Sequence, residues 1–394
     1  MAYSNTILSQ TMSIFLHNCR IWGEDGFIEG TGLLIEDGKI KSFHEETSQF
    51  PANVKSYDLQ GNTLLPGLID GHTHGGGGFD TKDVSVEGIV KMRELQAADG
   101  TTAFLPTLYP APIKEMRRTM GVIREAGTEG HGAEILGVHL EGPFINPTMR
   151  GALGDAYLLS PSVEIAKSLI DGFEDLVKII TLSPELEGPE LEGPELEEID
   201  KLICWCVENG ISVSMGHSNA TFDEAGMAFK SGAKGATHLF NRMRGFHHRE
   251  PGISGFSLTE DEMYTEIIAD LKHLHPAVIR LVLNIKSRRQ ILLVSDSVSG
   301  AKKKEYGAGP VFLPDGTIAG SAQLLFDGVR NLCDIGIKLE DAVTYASYNP
   351  ASYSGVSERK GSLKSGYDAD ILVVDGALNL KGILIRGEWS KRDF

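Results

Sequence analysis

Between about residue 64 and residue 350 the chain repeats one pattern, a short apolar run followed by a segment of helical character. The runs are Leu64–Ile69, Thr102–Leu105, Ile135–Leu140, Val177–Leu182, Ile211–Met215, Gly235–Leu239, Glu266–Ala269 and Ile291–Val294. Eight strands alternating with helices fit a (β/α)8 TIM-like barrel better than a doubly wound sheet. The intervening helices carry their own punctuation. Val86–Ala98 stops before Gly100, and Ser160-Pro161 reads as a cap and first-turn proline for the helix that follows.

The two ends follow a different rule. Ser13–Leu16, Gly32–Ile35 and Ile40–Phe43 are short strands, with Glu36-Asp37-Gly38-Lys39 as a hairpin turn. Ala369–Val374 and Gly382–Arg386, separated by Asp375-Gly376, repeat that texture near the far end. The expectation is an α/β chain whose termini, 1–65 and 354–394, pair into a small β-sandwich domain beside a barrel at 66–353. Many of the 46 glycines directly follow apolar runs, where a chain leaves a strand and turns.

Composition narrows the function. With 41% hydrophobic residues the chain has material for a large core and is not disordered. A formal charge of −17 repels a phosphodiester backbone and an anionic membrane, so neither nucleic acid nor membrane is an expected partner. Four cysteines are too few for a disulfide framework, and Cys204 and Cys206 read as small apolar residues. The first fifteen residues contain no Lys or Arg, and no apolar run is long enough to span a bilayer, so a cytoplasmic protein is expected.

The chemistry gathers where the runs end. Asp70-Gly71-His72-Thr73-His74 follows the first run, Glu141 the third and His217 the fifth; the sixth contains His238. The seventh leads to Asp270 and His273, and the eighth to Asp296. In a barrel those ends form the reactive face. His72 and His74, two apart on a strand, point to the same side. Imidazole and carboxylate together suit one or two divalent ions, Zn2+ or Fe2+, and two ions could share a carboxylate. His273 faces this site, and His275, before Pro276, reads as a surface or capping residue; His17, His44 and His131 read as solvated. Arg242-Met243-Arg244-Gly245-Phe246-His247-His248-Arg249 is a basic run in an acidic chain, suited to an anionic substrate group through a guanidinium fork such as that of Arg249. The acidic pentad repeat at 185–198 reads as a solvated loop without function.

The ordered motifs resemble a known family. Leu65-Pro66-Gly67-Leu68-Ile69-Asp70-Gly71-His72-Thr73-His74, Leu140-Glu141-Gly142-Pro143-Phe144, Met215-Gly216-His217-Ser218, Thr237-His238-Leu239-Phe240-Asn241 and His247-His248-Arg249-Glu250-Pro251-Gly252 are similar to those of the N-acetylglucosamine-6-phosphate deacetylases of the amidohydrolase superfamily. The resemblance implies hydrolysis of an amino-sugar phosphate by a homodimer. Glu141, His217 and His238 would hold the main metal, and His72 and His74 a second one. Asp296 would be the acid/base residue and His273 would polarise the acetamide carbonyl. Asn241, Arg242, His248 and Arg249 would hold the sugar phosphate, Arg249 from across the dimer. Ile318, Ala319 and Gly320 would close over the substrate, and Ala152 and Leu153 would border the sugar.

The pattern also departs from that family. Gly151-Ala152-Leu153 stands where the family usually reads Gly-Ala-His, and Asp270-Leu271-Lys272-His273 where it reads Asp-Gly-x-His. Lys302-Lys303-Lys304 occupies a stretch where a β-hairpin often sits. These differences leave open an N-acetylgalactosamine-6-phosphate substrate, or another N-acyl or cyclic amide.

Overall fold

The computed structural model describes residues 13–23, 26–45, 54–187 and 197–394. Eight parallel strands form its centre. They are β1 (Leu68–Thr73), β2 (Thr101–Leu108), β3 (Val138–Glu141), β4 (Val177–Leu182), β5 (Ser212–Met215), β6 (Gly235–Ala236), β7 (Tyr264–Ile268) and β8 (Ile291–Val294). Each pairs with the next in chain order. The ring closes where Thr73 bridges Ser297 and Asp296 N donates to His72 O at 2.9 Å. A helix follows every strand, from Val86–Ala98 after β1 to Leu325–Asp334 after β8. This is the (β/α)8 barrel.

The first apolar run divides between two sheets. Thr63–Pro66 pairs with Ile14–Gly23 and Ile371–Val374 in the terminal sheet, and β1 starts only at Leu68. Gly67 is the passage between them. A Cβ there would sit 2.1 Å from Thr102 Oγ1, so any side chain must displace β2, an overpacking that costs about 1–3 kcal/mol.

The terminal sheet has eight strands from both ends of the described chain. It branches at Ile14–Gly23, whose first half pairs with Lys55–Asp58 and whose second half pairs with Thr63 and Leu64. Residues of both branches, among them Leu16, Leu33, Leu64, Ile371 and Val373, share one small core. Their neighbours Leu65, Leu372 and Val374 point the other way and join the barrel core with Trp22. Period-2 alternation thus gives the sheet two apolar faces, one for itself and one for the barrel. Lys360, 3% exposed, ties the junction by reaching Glu134 at 2.9 Å, Asp368 at 3.2 Å and Asp370.

Some local expectations need correction. The helix Val163–Ile170 is capped by Ser162, whose hydroxyl accepts from Ile165 N; Ser160 and Pro161 precede the cap. The run Lys302-Lys303-Lys304 begins with Lys302 held between Asp99 and Asp327 at 2.8 and 2.6 Å. A β-hairpin does follow it, with Pro310–Phe312 against Ile318–Ser321. Glu185, at the start of the acidic repeat, is a half-buried brace and not a solvated residue. It accepts from Asn146 Nδ2 at 2.8 Å and from Ser218 Oγ at 2.7 Å. Residues 188–196 of that repeat lie outside the described residues.

Candidate active site

The strands end on one face, and their last side chains converge on Glu141. Its Oε1 is 3.0 Å from His217 Nε2 and 3.2 Å from His238 Nε2, while Oε2 is 3.1 Å from His74 Nε2. His72 Nε2 lies 3.5 Å from Oε1. Two overlapping groups result, His72/His74/Glu141 and Glu141/His217/His238, each with donor atoms within 4.8 Å of one another and all buried. Asp296 Oδ1 stands 3.6 Å from His72 Nε2 and 3.7 Å from His74 Nε2.

The backbone is shaped for this convergence. His217, His238 and Asp296 follow the ends of β5, β6 and β8 with φ of 49°, 33° and 45°. Left-handed backbone at non-glycine residues costs of order 1–3 kcal/mol each and gathers at functional sites. Leu271, which stands where the resemblance expects Gly, is likewise at φ 62°. The leucine therefore takes the conformation a glycine would occupy more easily.

Hydrogen bonds at the far side of the His72, His74 and His217 rings decide what the near side offers, while buried His238 Nδ1 has no hydrogen-bond partner. His74 Nδ1 donates to Thr107 O and His217 Nδ1 to Met149 O, both at 3.0 Å. A carbonyl can only accept, so Nδ1 carries the proton and Nε2 turns a lone pair toward Glu141. His72 Nδ1 bonds Glu266 Oε2 at 3.1 Å, and the same oxygen accepts from His238 N at 3.1 Å. Inside the cluster, His217 Nε2 and His238 Nε2 face each other at 3.1 Å, and buried His72 Nε2 has no hydrogen-bond partner. Nitrogen lone pairs crowded on a carboxylate without enough protons to share are a ligand set. The residues present fit a divalent metal.

The field agrees. Burial works against charge on His72, yet Asp296, Glu141 and Glu266 hold its pKa well above the usual imidazole range. Burial would raise the Glu141 carboxyl, but His217 and His72 hold it well below the carboxylate range. The pocket calls for positive charge against its carboxylates, and a divalent cation meets that demand directly.

Around the cluster is a cavity of about 650 Å³. His273 enters it with Nδ1 on Asp270 Oδ2 at 2.7 Å. Burial lowers the His273 pKa, but Asp270 outweighs it and the net shift is upward. His275 caps the helix Pro276–Ile285, its side chain accepting from Ala277 N. Asn241, Arg242, Ala152, Leu153, Ile318, Ala319 and Gly320 line the same cavity. Arg242 lies across Gly151, where a Cβ would meet its Nε at 2.6 Å. His248 and Arg249 do not line it; they are exposed, with Arg249 Nε donating to His248 Nε2 at 3.0 Å.

Three neighbours were missing from the sequence reading. Glu266 sits inside β7, and a carboxylate within an apolar run was a usable signal. His139 lies two residues before Glu141 on the same face of β3 and packs edge-on to His72 with ring centroids 4.6 Å apart. Burial holds it well below the usual histidine pKa, so it is neutral, bonded to Thr181 Oγ1 at 2.8 Å. Tyr109 stacks on His74 with centroids 3.9 Å apart, and nothing in its local sequence marks it.

Residues 63–391 match the amidohydrolase family. The chain belongs to that family. Among similar proteins, this amidohydrolase is 34% identical to one of Bacillus subtilis (strain 168) named N-acetylglucosamine-6-phosphate deacetylase, over 95% of this chain and 96% of that one. It is 31% identical to one of Escherichia coli O157:H7 named N-acetylgalactosamine-6-phosphate deacetylase, over 96% and 99% of the two chains. A crystal structure of N-acetylglucosamine-6-phosphate deacetylase from Pasteurella multocida superposes on the amidohydrolase with a TM-score of 0.86 at 31% identity, covering 96% of this chain and 99% of that one.

Proposed function

We propose that this amidohydrolase removes acetate from N-acetylglucosamine 6-phosphate to give glucosamine 6-phosphate. The observation that carries the reading is Glu141 shared by two buried histidine pairs, with Asp296 beside them in a cavity that Arg242 also lines. Glu141, His217 and His238 would hold one ion, and His72 and His74 with Glu141 a second; Zn2+ or Fe2+ suits these donors. Such an ion lowers the pKa of a water it holds toward 7 and stabilises negative charge on a carbonyl oxygen.

The chain's own groups do the rest. Asp296 takes a proton from the attacking water and returns it to the leaving nitrogen. His273 donates to the acetamide oxygen as charge develops there. Its Nδ1 proton is held by Asp270, so Nε2 carries a proton only when the ring is charged, a form that the Asp270 carboxylate favours. Asn241 and Arg242 bind the sugar phosphate, with His248 and Arg249 supplied by the second subunit of a homodimer. Their exposure away from the cavity of their own chain supports that assignment.

Asp270→Asn removes the partner that raises the His273 pKa. The alkaline limb of the kcat/KM profile is then expected to move to lower pH, because the ring loses its second proton sooner. A limb that does not move assigns it to another group.

The test of substrate is acetate release from N-acetylglucosamine 6-phosphate, N-acetylgalactosamine 6-phosphate and unphosphorylated N-acetylglucosamine side by side. Preference for a phosphate supports the basic loop as its site, and the larger rate names the sugar. Leu153, an apolar side chain at the wall, favours keeping the galactose epimer as the second reading, as does the similarity to the Escherichia coli protein. No acetate from any of the three overturns both.

Residues 1–65 with 354–394 would serve as the small β domain and 66–353 as the barrel that bears the site; the passage at Gly67 and the small core on the sheet's outer face support this division. No helix among the described residues is long and apolar enough to cross a membrane. A cytoplasmic enzyme fits a sugar-phosphate substrate.

A further inference from the structure

A second cavity, of about 490 Å³, lies against the first. The two share Tyr109, Ala152, Leu153 and Ala319, which stand between them. Beyond that partition the annex is lined by Leu108, Pro110, Ala111, Met116, Val298 and Val311. Its polar wall groups are satisfied or peripheral: half-buried Asp80 accepts from Lys82 N at 2.9 Å and Tyr109 OH at 3.4 Å, while Lys82 and Arg118 are exposed. The outer end reaches Tyr157 and Leu313, both exposed apolar side chains.

Position on the barrel says which part of a substrate can reach it. The annex is built on the segments after β1, β2, β3 and β8, through residues 80–82, 108–119, 152–157 and 298–299. The basic segment from Asn241 follows β6, which is opposite β2 in an eight-strand ring closed in chain order. An amide held at the centre by His273 and Asp296, with its sugar phosphate over the β6 segment, turns its acyl group toward β2. Tyr109, stacked on His74, is the first wall that group meets.

We infer that the annex receives the acyl substituent, and that the enzyme hydrolyses N-acyl amino-sugar phosphates with chains longer than acetyl. This rests on the deacetylase reading and extends its substrate class. The reaction balances as for acetate. Water oxygen bonds to the acyl carbon, the C–N bond breaks, its electron pair leaves with nitrogen, and Asp296 passes the water's proton to that nitrogen. The products are a short-chain carboxylate and the amino-sugar phosphate. Leu153 has no hydrogen-bonding group in its side chain, and Ala152 and Ala319 put only methyl groups into the partition, so an acyl chain meets small apolar neighbours there.

The experiment compares kcat/KM for N-acetyl-, N-propionyl- and N-butyrylglucosamine 6-phosphate in the metal-loaded enzyme. Each methylene seated in an apolar pocket is worth roughly tenfold or more in discrimination. N-butyryl, with two more methylenes than N-acetyl, is therefore expected at no less than the N-acetyl value, and below that the annex is not an acyl pocket. Ala111→Phe fills the annex from a half-buried loop position outside the catalytic cavity. It is expected to leave N-acetyl turnover unchanged and to lower N-butyryl turnover by roughly tenfold or more. Leu153→Ala is expected to raise the butyryl-to-acetyl ratio. Equal effects of Ala111→Phe on both substrates overturn the inference. Loss of all three activities in the unaltered enzyme refutes the deacetylase reading itself.

Discussion

Asp296→Asn is expected to lower acetate release by about 10²–10⁴-fold, the span that general acid–base catalysis contributes, while bound metal stays at the wild-type ratio. The substitution keeps the shape and one acceptor oxygen, so the hydrogen-bonding neighbourhood survives. What it removes is the ability to take a proton at neutral pH. Asp296 stands 3.6 and 3.7 Å from His72 and His74, beside the histidine cluster and not at its centre. It also lines the cavity, where a substrate amide can meet it. Rate and metal content, measured on the same preparation, separate the roles. Lost turnover with retained metal supports an acid/base group, and lost metal with lost turnover makes Asp296 a ligand. Near-wild-type turnover removes it from the chemistry.

Glu141→Gln acts one step earlier. Glu141 is the only residue common to both ligand groups among the described residues, and its two oxygens reach different histidines. An amide keeps one oxygen but loses the charge and places NH2 against imidazole nitrogens. Metal content and acetate release are expected to fall together, the latter by ~10²-fold or more, since even outer partners of a metal site are worth 10–100-fold. The fold should persist, because the barrel core does not depend on this carboxylate; circular dichroism and thermal melting check it. Retained metal with retained activity would place the ion elsewhere.

The sequence made much of this legible because strand ends carry information twice, once as apolar runs that stop and once as polar residues that follow. Ile291–Val294 is both the run and the strand, and Asp296 lies two residues beyond it. His72, His74, Glu141, His217 and His238 could be gathered before any coordinates because a barrel brings all its strand ends to one face. Gly67 shows the limit. One unbroken apolar run, Leu64–Ile69, serves two sheets, and only the approach of Thr102 reveals where one gives way to the other. Ser162 displaced Ser160 as a cap by a hydrogen bond to Ile165 that composition does not announce. Glu266 and His139 were lost for a different reason. Read within apolar runs they counted as part of a strand, yet the packed interior makes them partners of His72. The annex was invisible because Ala111, Leu153 and Val311 belong to no common period.

The most direct test of the central claim is acetate release from N-acetylglucosamine 6-phosphate by one preparation of wild-type protein, before chelation, after chelation and after reloading with Zn2+ or Fe2+. Activity that disappears with the metal and returns with it is the predicted result. Acetate release that continues undiminished in protein shown to be free of metal would contradict the account.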